Sequence, residues 1–204
     1  MQEINLIFSL IILVLSIVIH EVSHGYMAYL LGDSTAKLSG RLTLNPFKHL
    51  DMMGSFIVPL LTFSLTGFIF GWAKPVPYNP YNLNKTRYDE QLVAFAGPAS
   101  NFLVAIVFGL LIRFSLLLDL TSFALIDFMS LVVLINIVLG VFNLVPLPPL
   151  DGSKIFLPFL YDKFPETRDF FERYWMFFIF FFIFFAWRLI TPIVYILFSI
   201  LTGF

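Results

Sequence analysis

The chain has 204 residues, 59% of them hydrophobic and 12% charged, with a net charge of −1. That charge content is about half of what a soluble domain carries, and the near-neutral balance offers no electrostatic footprint for nucleic acid. There is no cysteine, which excludes a disulfide framework and a thiolate metal site.

In chain order, residues 4–31 read as one long apolar helix that stops at Gly32 and Asp33. Its N-terminus lacks the basic region and small-residue cleavage site of a signal peptide. Residues 33–51 are polar and mixed. Residues 52–72 are apolar, but Gly54, Pro59, Gly67 and Gly71 interrupt them. The run "WAKPVPYNPYNL" (72–83) carries prolines that force an extended or turning path. Residues 91–112 and 120–147 are two further spans, the second closing on "FNLVPLPPLDG" (142–152). Residues 153–173 are charged and polar. Residues 174–203 are a last apolar stretch, interrupted by Arg188 and Pro192 and rich in phenylalanine on what reads as a lipid-facing surface. Several of these runs reach the ~20 residues needed to cross a bilayer. The expected fold class is an all-α polytopic membrane protein, a single domain over residues 1–204 with its core at about 4–155.

The first helix contains "HEVSH". His20 and His24 stand at i and i+4, on one face a turn apart. That spacing suits two imidazoles on one Zn²⁺, with Glu21 beside them as general base. Ionisable groups inside a spanning segment cost about 3 kcal/mol or more, so they mark function rather than packing. A hydrolytic zinc site needs a third protein ligand. His49 lies in a polar loop and is one candidate, although a solvated loop histidine is the plainer reading. Asp151 is the better one: Pro146, Pro148 and Pro149 break the helix just before it, and broken backbone at membrane depth needs protein or water around it.

"HEVSH", "GPASN" (97–101) and "FNLVPLPPLDG", in that order and each on an apolar segment, resemble the site-2 protease family of intramembrane zinc metalloproteases. "GRLTLNPFKHLD" and "GWAKPVPYNPYNL" are similar to the short bacterial members without PDZ or CBS domains. The resemblance implies a zinc metalloendopeptidase with one Zn²⁺ per chain on His20, His24 and Asp151, and Glu21 as the base. Asn143 would position substrate or stabilise the oxyanion. The implied partners are a transmembrane protein substrate and the lipid bilayer. Asn101 reads as a packing residue or a helix start. The alternative is a non-catalytic or zinc-handling membrane helix bundle.

Topology constrains this reading. If 52–72 enters the membrane and returns, His24 and Asp151 approach from one face. Lys and Arg then divide 10 against 1, six in residues 32–90 and four in 148–173 against Arg113. That is a strong positive-inside signal. The expectation is a multi-pass protein of the cell membrane with its N-terminus outside. The active site would open to the cytosol, and a re-entrant or extended segment would join the first two spanning helices. "GWAKPVPYNP" is a candidate edge to hold an unwound substrate by strand addition.

Overall fold

Uninterrupted apolar sequence makes the long elements helical, since a helix satisfies its own backbone hydrogen bonds where water is absent. The computed structural model describes residues 2–51, 53–57, 60, 61, 64, 74–84, 86–117, 122–182 and 187–204. Seven α-helices lie among them: α1 (Gln2–Leu30), α2 (Thr35–Leu38), α3 (Asp89–Leu117), α4 (Phe123–Asn143), α5 (Asp151–Lys163), α6 (Glu166–Phe181) and α7 (Trp187–Thr202). No strand occurs among the described residues. Ile7–Leu30 of α1, α3 and α4 are each long and apolar enough to cross a membrane, with mean hydropathies of 2.1, 2.0 and 2.5. The expected all-helical polytopic bundle is therefore what forms. Most of 52–72, the segment expected to re-enter, lies outside the described residues.

α3 is the central helix, packing against α1, α4, α5 and α7. α1 and α3 run antiparallel, because the Asn84 N–H reaches the Leu31 carbonyl at 2.8 Å and His24 meets Val93. The connection between them thus starts and finishes at one end of the bundle. α1 stops at Gly32, whose φ of 105° suits glycine alone among common residues. α4 returns to the same end, where Asn143 precedes the proline-rich turn and Asp151 opens α5. At the opposite end, Arg113 donates to the Leu201 carbonyl at 3.0 Å and to that of Ile200, capping the end of α7. Phe182 meets the Phe142 ring at 5.7 Å near the site end of α4, and α7 packs against α3 and α4. The apolar core of Ala105, Ile112, Met129, Val133, Ile137 and Val194 joins α3, α4 and α7 in that far half. The buried His20, His24, Asp33, Arg41, His49 and Asp89 lie in the other half, at the site end.

Candidate metal centre

Three helices bring the ionisable side chains together. His20 and His24 come from α1, Asp151 from the first turn of α5, and both must fit against α3. Their fit depends on Gly97. A side chain there would overlap His24 Nε2 and lie 2.6 Å from His20 Cε1. Gly152 does the same for α5: a Cβ would run into the carbonyls of Leu144 and Val145, so Asp151 is drawn against the end of α4. Pro98 has no N–H to offer the Ala94 carbonyl, and Ala94 lines the adjoining cavity.

The ligand atoms form a tight triangle. His20 Nε2 and His24 Nε2 are 3.0 Å apart, and Asp151 Oδ2 stands 3.0 and 3.1 Å from them. Both rings are almost fully buried. Their tautomers follow from the other ring nitrogen. His24 Nδ1 meets the Val93 carbonyl at 2.7 Å, which only accepts, so Nδ1 carries the proton. His20 Nδ1 meets Asn101 Oδ1 at 2.6 Å. Asn101 Nδ2 donates to Asn136 Oδ1 at 3.0 Å, so Oδ1 is the acceptor and His20 Nδ1 carries its proton too. Both Nε2 atoms therefore point lone pairs at each other and at a carboxylate.

Three acceptors this close repel unless a cation lies among them. A divalent ion is the match. Tetrahedral zinc with bonds of about 2.0–2.2 Å sets its ligand atoms about 3.3–3.5 Å apart, close to what is seen. Second ring nitrogens donating to a carbonyl oxygen are the usual support for metal-bound imidazoles. Among the described residues, His20, His24 and Asp151 form the group that can hold a metal. His49 is not part of it. It is buried rather than solvated, and its Nε2 donates to the Thr43 carbonyl at 2.8 Å.

The triangle opens on a cavity of about 210 Å³, also lined by Glu21, Val76, Tyr78, Asn143 and Lys154. Glu21 Oε2 accepts the Val76 N–H at 2.9 Å. Asn143 Nδ2 donates back to the Leu139 carbonyl at 3.0 Å. Asn101 is neither a helix start nor plain packing: it sits inside α3 as the partner of His20. Sequence reasoning also passed over Asn136 and Ser16, which complete a buried chain. Asn136 Nδ2 donates to Ser16 Oγ at 2.9 Å. The available signal was an isolated polar residue in each of three apolar spans.

Fold and site together define a helical membrane protein in which two histidines and one aspartate form a group that could hold a metal, with the Glu21 carboxylate on the adjoining cavity. Residues 117–186 match the family model described as Peptidase family M50. A protein of Bacillus subtilis (strain 168), named "Putative zinc metalloprotease YwhC", is 42% identical over 153 residues, covering 72% of this chain and 67% of the relative. Rip2 proteins, given the same description, are 32% identical over 155 residues in Mycolicibacterium smegmatis and 30% over 153 in Mycobacterium tuberculosis (H37Rv). Those two matches cover 76% and 75% of this chain, and 56% of each relative's length. No solved structure matches. The chain belongs to peptidase family M50, the site-2 protease family of zinc metalloproteases.

Proposed function

We propose that this protein hydrolyses peptide bonds of transmembrane-helix substrates within the bilayer. The observation that carries the reading is the meeting of two imidazole Nε2 atoms and a carboxylate oxygen at 3.0–3.1 Å, next to a cavity that also holds Glu21 and Asn143. His20, His24 and Asp151 would hold the zinc. When bound, zinc supplies the Lewis acidity that makes water a nucleophile near neutral pH and polarises a peptide carbonyl. Glu21 takes the proton of the attacking water and returns it to the leaving amine nitrogen. The Asn143 amide, at the cavity wall, turns from the Leu139 carbonyl to donate to the developing oxyanion.

The substrate must be unwound at the cut, because helical hydrogen bonds bury the scissile carbonyl. The backbone at 74–79 is not helical and Asn79 has extended dihedrals, a form that can pair with such a segment. The test is cleavage of a labelled single-span peptide carrying a central Gly-Pro pair, in detergent micelles, with zinc content measured on the same samples. Glu21→Gln should keep its zinc and lose at least about 100-fold in kcat. Asp151→Ala should lose both. Parental cleavage by Glu21→Gln with zinc bound would refute the base assignment. Cleavage that survives complete removal of the metal would refute the metalloprotease reading.

A further inference from the structure

We propose that Arg41 is a positioning residue for Glu21, acting through the backbone N–H of Val76; this rests on Glu21 being the general base. Val76 stands between Pro75 and Pro77, neither of which has an N–H. Across these three residues there is one donor, and it is spent on Glu21 Oε2 at 2.9 Å. That bond fixes one carboxylate oxygen of a side chain with several rotatable bonds and leaves Oε1 for the attacking water.

The N–H can do this only if the backbone carrying it is held still. Arg41 holds it. Arg41 is 9% exposed, and its Nη2 donates to the carbonyls of Lys74 at 2.8 Å and Pro75 at 3.2 Å, the two residues before Val76. A buried guanidinium is costly unless its donors are met; here Nη2 is met twice by this backbone while Nε is buried without a partner among the described residues, so the two carbonyls are the bonds that keep Arg41 inside. The Lys74 N–H is pinned to the His49 carbonyl at 2.9 Å. Beyond Val76, the Asn79 N–H is bound by Asp33 Oδ2 at 2.7 Å. The Val76 side chain is buried where Gly25 leaves room, since a Cβ on Gly25 would lie 2.5 Å from Val76 Cγ1. The motifs "GRLTLNPFKHLD" and "WAKPVPYNPYNL" thereby acquire a shared role: one supplies Arg41 and the His49 carbonyl, the other the strap they hold.

The full chain is assayed with the labelled single-span peptide as Arg41→Gln, Arg41→Lys and Val76→Pro. Val76→Pro deletes the one N–H while keeping an apolar side chain. The expected result for Arg41→Gln is a kcat lower by about 10- to 100-fold, KM within about twofold of the parent, and zinc content unchanged. Arg41→Lys, whose ammonium can still donate to a carbonyl, should regain part of the loss. Val76→Pro should repeat the kcat loss. Parental kcat in Arg41→Gln or in Val76→Pro overturns the proposal. So does a raised KM at parental kcat, which would make the strap a substrate contact only. Zinc lost in proportion to activity also overturns it. If Arg41→Gln does not fold, Arg41→Lys carries the test with Val76→Pro: its kcat should fall below the parent with zinc retained, and parental kcat in Arg41→Lys then overturns the proposal. An inactive, zinc-loaded Glu21→Gln beside an active Arg41→Gln sinks this proposal and spares the base assignment. An active Glu21→Gln sinks the base assignment itself.

Discussion

At the scale of single residues, the instructive side chain is Asn101. It is fully buried, and its amide makes two directional bonds at once, accepting from His20 Nδ1 and donating to Asn136. Because the amide cannot accept through nitrogen, its orientation dictates which His20 nitrogen is free. Asn101→Leu keeps the volume and removes that constraint. It leaves His20 Nδ1–H and Asn136 Oδ1 unpaired, each a cost of about 1–3 kcal/mol. The expected outcome is zinc affinity weakened by about 10- to 100-fold, read as zinc retained against rising chelator. An unchanged chelator titration would make Asn101 a packing residue after all. The difference in legibility is physical. His20, Glu21 and His24 announce themselves because helical spacing alone puts the imidazoles on one face. Asp151 is visible through the prolines that break the chain before it. Asn101, Asn136 and Ser16 come from three helices, and no local pattern tells one buried amide which other helix it will face.

At the scale of elements, the connection from α1 to α3 is organised by Asp33. This carboxylate, at the end of α1 and outside the spanning segments, accepts from the Thr35 N–H and hydroxyl, the Asn79 N–H and Asn82 Nδ2. Burial pushes its pKa up, but the hydrogen bonds from Thr35, Asn79 and Asn82 together outweigh that and hold it below the ordinary value. A carboxyl with a lowered folded-state pKa contributes stability that is present above its unfolded pKa of about 3.9 and lost as pH falls through the folded one. Asp33→Asn removes the charge that four donors share, a loss of about 1.5–3 kcal/mol. The unfolding midpoints of parent and Asp33→Asn in detergent should differ by a constant amount from pH 8 to pH 5. The gap should close as pH drops below about 4. A gap that persists unchanged at acid pH would show that the charge is not what Asp33 contributes. The three prolines of 72–83 were sufficient to read an extended or turning strap, and Asn79 has extended backbone before a turn at Pro80–Asn82. What it straps could not be read, since Asp33, Arg41 and Glu21 lie 33 or more residues upstream of their partners. The reading of 153–173 as merely polar also fell short. Asp151–Lys163 is helical despite Pro158, and α5 is fastened to the start of α3 by Arg87 on Asp162 at 3.1 Å and by Tyr88 beside Phe159.

At the scale of the whole molecule, the two ends of the bundle differ in charge as well as in packing. Lys37, Arg41, Lys48, Lys74 and Arg87 sit at the end where the metal centre opens. Lys154, Lys163, Arg168 and Arg173 follow on α5 and α6. At the other end Arg113 spends its guanidinium on the last carbonyls of α7. Basic residues beside short loops stay on the cytosolic face, so the site end should face the cytosol and the start of α4 the outside. The absence of cysteine makes this testable without background. Ser39, just after α2 at the site end, and Ser122, just before α4 at the far end, are both exposed, and each accepts a conservative Ser→Cys change. In intact cells a membrane-impermeant maleimide should label Ser122→Cys at once and Ser39→Cys only after permeabilisation. The reverse pattern would put the metal centre on the outer face. Labelling of both in intact cells would mean that α1 and α3 do not place their shared end across the membrane from the start of α4. The antiparallel course of α3 and α4 makes that last outcome the hardest to reconcile with the fold, because the two helices pack along each other around the same core.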